Sequence, residues 1–422
     1  MWLLRQLVPD HNTISNFRRD NEKAIRKVFR YTVSIAKQFD LIGGKLIAGD
    51  STKLRAQNSK KNNFNEAKIA QHLDYIEKRL DEYNQALEVA DGEANRKIIR
   101  EQIEKQNDRK DKYNQLREQL HDNSEPQVST SDPESRQLMI RNRITEVAYS
   151  VQTTVDDKNK ITLDYKVTNQ NDSKAMGPML RRAKTILGHA NFTALYDKGY
   201  HTGSELKKGL AMGVELMVAI PGVASFAPDD RYNVEQFVYD PAADTYTCPE
   251  ANTLQTYGAW YVKSDHGYVV KHYKTGKCTT CPAFALCTKN KNGRLIERSE
   301  YQDYVEQNKR NIEQCPDTYK KRQQIIEHTY GTIKRQWGFS YIITKRGMKR
   351  ATADVGLMFT ALNLRRLMNI LDTNTLKKFL EELVVMYFVV TVSLKQLLTA
   401  ITPLIFSTTV DRYQKQAATN RS

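Results

Sequence analysis

Residues 147–167 read VAYSVQTTVDDKNKITLDYKV. Val147, Tyr149, Val151, Thr153 and Val155 alternate with their neighbours, as do Ile161, Leu163, Tyr165 and Val167. A period of two in β-branched and aromatic residues predicts strands. The polar run Asp156-Asp157-Lys158-Asn159 supplies a turn, so the segment predicts an antiparallel hairpin. The period then changes. Residues 173–187 read as helix, 192–196 as strand, Gly203-Ser204 opens a short helix, and 214–220 reads as strand. Antiparallel strands followed by alternating helix and strand predict an α/β layer fold.

Upstream, residues 45–50 predict a strand that ends at Asp50. Residues 1–40 predict helix, with Asp10, Asn12 and Ser15 as candidate N-caps. Ile14, Phe17, Ile25, Val28, Phe29, Val33 and Ile35 would form its apolar face. Between Ser59 and Asp122, Ile69, Leu73, Ile76, Leu80, Tyr83 and Leu87 step by fours and threes. After Asp91-Gly92, Ile99, Ile103, Tyr113, Leu116 and Leu120 continue less strictly, which predicts a helical hairpin. Its seam would pack within the hairpin, or serve dimerisation. Residues 123–134 (NSEPQVSTSDPE) read as a linker.

The chemistry concentrates in DTYKKRQQIIEHTYGTIKRQWGFSYIITKRGMKR, residues 317–350, with nine Lys/Arg against two acids. Glu327 stands alone inside that basic run. On a helix, Tyr330 and Lys334 share nearly one face with it. Such an acid is either a metal ligand among phosphate-gripping cations or an ordinary partner of neighbouring Lys and Arg. Two further acids, Asp50 in KLIAGDSTKLRA and Asp197 in NFTALYDKGYHTG, each follow a short apolar run. Singly, each also fits a turn residue.

Together these residues resemble the Asp-Asp-Glu triad of the DDE transposases of bacterial insertion sequences. Tyr319, Arg322, Glu327 and Lys334 are similar to that group's Tyr-Arg-Glu-Lys signature, over a resemblance running from about Val8 to Met368. The Arg-to-Glu gap is four residues where three is commoner, which turns Arg322 about 140° round the helix from Glu327. The resemblance implies an RNase H-like core at 45–221 and 301–370, interrupted by the hairpin and linker at 59–134. It implies that 1–44 is the remnant of an N-terminal helical domain, most of which would precede this chain. It also implies that Asp50, Asp197 and Glu327 bind Mg²⁺ or Mn²⁺ and cut and join DNA, with Tyr319, Arg322, Lys334 and Arg335 as DNA-binding residues, Lys334 and Arg335 on phosphate near the cut and Tyr319 beside it. Its partners would be double-stranded element ends and target DNA, engaged as a homodimer.

Residues 222–300 form an insertion holding Cys248, Cys278, Cys281 and Cys287, spaced Cys-x29-Cys-x2-Cys-x5-Cys. Four clustered cysteines in a reducing compartment read as a structural zinc site or as four reduced thiols in a small β insertion. Cys315 lies outside the cluster, and His266 and His272 are spare candidates. Residues 371–422 diverge as a tail.

The net charge of +16 and pI near 9.4 favour a polyanionic partner, nucleic acid before an anionic membrane. The start MWLLRQLVPDH has too short an apolar run for a secretory signal, and Leu383–Leu394 is about half a membrane span. The expectation is a cytoplasmic protein. Two alternatives to a transposase stand: an RNase H-like nuclease without strand transfer, and a non-catalytic DNA-binding remnant.

Overall fold

The computed structural model describes residues 8–122, 126–141, 144–222, 226–263, 267–342, 346–372, 374–379 and 381–382. His266 and the apolar stretch 383–394 lie outside them. The chain divides into two units, Met1–Asn363 and Leu364–Ser422. Described residues of the second comprise the last turns of a helix that begins in the first and a helical segment at 374–379.

Helix α1 (His11–Asp20) starts at the N-cap Asp10, whose carboxylate accepts from the Thr13 amide at 2.6 Å. Helix α2 (Glu22–Gln38) buries Ile25, Phe29, Val33 and Ile35. The expected apolar face fails over α1. Ile14 and Phe17 are exposed and α1 buries nothing, and on α2 Val28 is exposed as well.

The next strand, β1 (Leu46–Arg55), leads into a short ribbon of β2 (Asn63–Phe64) with β3 (Val128–Ser129). Between them stand α3 (Glu66–Val89) and α4 (Glu93–Asp122), the expected helical hairpin. Gly92 makes its turn at φ +85°, a conformation glycine adopts without steric cost. The hairpin's root packs most densely, with Phe64, Ile69, Leu73, Leu116 and Leu120 in one buried cluster, and Ile76 and Gln106 are buried further along. Residues 123–134 are not wholly a linker, since β3 lies among them.

The main sheet adds β4 (Arg136–Arg141), β5 (Ile144–Asp156), β6 (Thr162–Thr168), β7 (Thr193–Tyr196) and β8 (Glu215–Val218). Its order is β6-β5-β1-β7-β8, with β4 sharing β5's outer edge with β6. Pairings β1–β5, β5–β6 and β4–β5 are antiparallel, whereas β1–β7 and β7–β8 are parallel. Helices α5 (Met176–Leu187) and α6 (Gly203–Ala211) make the crossovers that parallel strands require.

Residues 238–299 carry two small antiparallel sheets. One is β9 (Val238–Asp240), β10 (Thr245–Thr247) and β11 (Thr253–Gln255). The other is β12 (Trp260–Lys263), β13 (Tyr268–Tyr273) and β14 (Ile296–Ser299), with the one-turn helix α7 (Phe284–Cys287) between the last two strands.

Then follow α8 (Gln302–Gln314), α9 (Pro316–Gly331) and α10 (Met348–Ile370). Asn308 exchanges two hydrogen bonds with the backbone of Val218, and Asn311 donates to the Leu216 carbonyl. These amides occupy the free edge of β8, which would otherwise invite another strand. Helix α9 lies over the centre of the sheet. Its Ile325 and Ile326 pack with Ala48, Val155, Leu195 and Met217.

Candidate active site

Asp50 lies in the middle of β1, opposite Thr153 of β5. The strand expected to end there continues through Arg55 because β5 runs alongside as far as Arg55↔Ala148. Beyond Asp50, Thr52 and Leu54 are buried, so the polar composition of 51–53 does not mark a strand end. Asp197 follows β7 directly and caps the short turn Lys198–Tyr200, its carboxylate accepting from the Lys198 amide. The last parallel pair of β1 and β7 is Ala48↔Leu195, and both residues pack in the cluster beneath α9. Asp50 and Asp197 each come two residues further on, so the alternation of strand side chains directs them to the same face.

Glu327 comes from α9. Asp50 and Glu327 line one open cleft of about 590 Å³ together with Arg322, Gln323, Tyr330, Lys334 and Arg335. Asp197 is not among the lining residues, but its charge reaches Asp50, Tyr319 and Arg322. Burial pushes the Asp50 carboxyl above its ordinary range, and Asp197 and Asp172 add to that. Arg322 and the Ser51 amide pull the other way.

Two tyrosines fasten α9 to the sheet beside the acids. Tyr319 donates to the carbonyl of Tyr196 at 3.2 Å, and Tyr330 to the carbonyl of Asp50 at 3.0 Å. Eleven residues separate them, about three helical turns, so both project from one side. Beyond Gly331 the helix widens into a π-helical turn, Thr332–Gln336, a local form often found at functional sites. Lys334 on that turn donates to the Lys53 carbonyl at 3.3 Å, while Arg335 is exposed. Burial lowers the Lys334 ammonium, with Lys53 adding to the effect. Of the four residues expected to bind DNA, Arg335 is the exposed one, and the other three already hold protein partners.

Arg322 is the least expected of these. Its Nη1 donates to Asp50 Oδ2 at 3.1 Å, and both side chains are largely covered. The 140° offset from Glu327 turns the guanidinium to the β1 wall of the cleft. Glu327 is held instead by Gln323, one turn before it, at 2.7 Å.

A fourth acid, Asp172, escaped the sequence reading. Lys53 meets it at 2.9 Å and Gln152 at 2.7 Å, and Tyr200 donates to Gln152 in turn. This chain of contacts joins β1, β5 and the turn after Asp197. An acid in the polar run QNDSK carried no signal beyond a helix start.

Asp50, Asp197 and Glu327 supply hard oxygen donors of the kind Mg²⁺ takes. As placed, however, Asp50 is engaged by Arg322 and by the Ser51 amide. Among the described residues no three His, Cys, Asp or Glu are arranged to hold a metal ion.

Cys248, Cys278, Cys281 and Cys287 border one pocket. The β10–β11 hairpin brings Cys248 to the other three, and its sulfur accepts from the Asn252 amide at 3.3 Å. Burial raises the Cys287 thiol, and the three other thiols add to the rise. Cys315 sits apart at the start of α9, and His272 stacks on Tyr261 beside Glu297.

Residues 247–368 match the family model for the transposase DDE domain. The matched span takes in all five cysteines, α8, α9 with Glu327 and most of α10, while Asp50 and Asp197 precede it. The match supports a transposase, and with it DNA as the substrate class. No curated protein matches the chain. No described helix is long and apolar enough to cross a membrane.

Proposed function

We propose that the chain is a DDE transposase of an insertion sequence, with an RNase H-like core at 45–221 and 301–370. The hairpin region 59–134 and the cysteine region 222–300 are insertions into it, 1–44 is a helical N-terminal segment and 371–422 a separate tail. One observation carries the reading: Asp50 of the central strand and Glu327 of α9 border the same cleft, with Asp197 at the same level of the neighbouring strand. The sheet order, three antiparallel strands and then two parallel ones, supports the core assignment.

In this reading Asp50, Asp197 and Glu327 hold Mg²⁺ or Mn²⁺. Bound divalent ions activate an attacking oxygen and stabilise the leaving one. Arg335 and Lys334 grip the DNA backbone beside the cut. Tyr319 and Tyr330 keep α9 seated so that Glu327 faces the two aspartates. Water hydrolyses the phosphodiester at each element end, leaving the element's 3′-hydroxyl and a 5′-phosphate on the flanking strand; that hydroxyl then attacks a target phosphodiester and displaces the target strand's own 3′-hydroxyl. Two ends joined in one event imply a dimer on DNA, acting in the cytoplasm beside the nucleoid.

The test is nicking of supercoiled plasmid with Mg²⁺ or Mn²⁺, followed by joining of a labelled 3′-hydroxyl end to target DNA. The wild-type chain should nick and join, and Glu327→Gln should do neither. Nicking without joining selects the nuclease. DNA retardation without nicking in either protein selects the binding-only remnant.

The four cysteines are proposed to hold a structural zinc. The purified chain should then carry about one zinc, and Cys278→Ser should lose it with a lower melting temperature. Metal analysis finding no zinc in the wild type would leave four reduced thiols.

A further inference from the structure

We infer that Arg322 competes with divalent metal for Asp50, so that metal enters the site as Arg322 moves onto DNA phosphate. The inference rests on reading Asp50 as a metal ligand. Both oxygens of its carboxylate have donors: Oδ1 accepts from the Ser51 amide at 2.7 Å and Oδ2 from Arg322 at 3.1 Å. An oxygen that takes a divalent cation cannot keep a guanidinium beside it, because two positive groups would meet at one atom with little water between them. Only 19% of the Arg322 side chain and 23% of the Asp50 side chain are exposed, so screening by solvent is weak.

The cleft also offers Arg322 an alternative. It opens beside Lys334 and Arg335, which draw phosphate towards the same wall. A guanidinium fits a phosphate with two parallel hydrogen bonds, one more than it makes to Asp50 here. Exchange of Arg322 from carboxylate to phosphate therefore frees Asp50 as DNA arrives. It couples the two ligands: DNA tightens metal binding, and metal tightens DNA binding by the same factor. Arg322 thereby guards against cutting chemistry without substrate.

The experiment is calorimetric titration of the full chain with Mn²⁺, with and without a random-sequence DNA duplex. Without DNA, Arg322→Gln should bind Mn²⁺ at least about tenfold more tightly than wild type, since a unit charge a few ångströms away is removed. Arg322→Lys keeps the charge and should resemble wild type. The duplex should tighten Mn²⁺ binding by wild type far more than by Arg322→Gln. Melting curves show which variants fold. Should Arg322→Gln not fold, wild-type Mn²⁺ affinity unchanged by the duplex overturns the inference. Arg322→Gln binding no tighter than wild type, while Asp50→Asn loses Mn²⁺, overturns the inference and leaves the site standing. Asp50→Asn binding Mn²⁺ like wild type removes the site assignment itself.

Discussion

Asp50→Asn should reduce plasmid nicking by more than about 100-fold while the protein melts within a few degrees of wild type. The partners of a metal ligand cost about 10- to 100-fold when removed, and the ligand itself should cost more. The stability half follows from opposing effects. Burial penalises the Asp50 carboxylate, so a neutral amide removes that penalty. The same change weakens the hold on the Arg322 guanidinium, which the amide oxygen of Asn still accepts. Paired nicking rates and melting curves separate this outcome from simple unfolding. A variant that loses activity only in proportion to its folded fraction would refute a chemical role for Asp50.

Gly49→Ala should be among the most damaging single changes to stability. A methyl group at residue 49 would lie 2.1 Å from Tyr196 Cε1 and 2.3 Å from its Cζ. Neither side can yield cheaply. Gly49 is in the central strand, and the Tyr196 ring is fully buried against Tyr200 at 4.8 Å. Overpacking of a core costs about 1–3 kcal/mol and more where nothing moves, so a loss of about 3 kcal/mol or more is expected. Denaturant titration measures it. Tyr196→Leu in the same chain should recover part of the loss, because the two changes share one space. Tyr196 immediately precedes Asp197, so displacement of its ring should also lower nicking in whatever fraction folds. A melting midpoint unchanged by Gly49→Ala would mean that the strand and ring are not packed as described.

The fold was legible where periodicity is unambiguous. The alternation at 147–167 and the heptad at 69–87 both correspond to the elements they predict, β5–β6 and α3. Errors arose where local composition and tertiary partners disagree. Ser51, Thr52 and Lys53 look like the end of a strand, yet β5 pairs with β1 from Ile47 through Arg55. Ile14 and Phe17 have helical spacing, yet α1 finds no buried surface for them. At the candidate site, the sequence indicated the residue types and their elements but not their contacts. The Arg322–Asp50 pair spans 272 residues, and the link from Lys53 to Asp172 spans 119. Neither leaves a local pattern. The fit of Gly49 to the Tyr196 ring is likewise a product of packing.

The helical hairpin also bears on the order in which this chain can fold. Strand β1 pairs with β5 across a long separation, Ile47 with Asp156 and Arg55 with Ala148. Closing such a loop from a random chain is slow, since contacts distant in sequence reward the chain only after their entropy cost is met. Helices α3 and α4 need only neighbouring contacts, and the β2–β3 ribbon ties Asn63 to Ser129 at their base. Once that unit has formed, more than half of the separation between β1 and β5 is bridged by a structure whose two ends already touch. The remaining closure resembles that of a short connection, each halving of a loop saving about 0.6 kcal/mol. The hairpin is thus a kinetic shortcut to the central sheet: cutting its tip should leave this pathway open, whereas loosening its root at Ile69 or Leu116 should slow the assembly of the strand that carries Asp50.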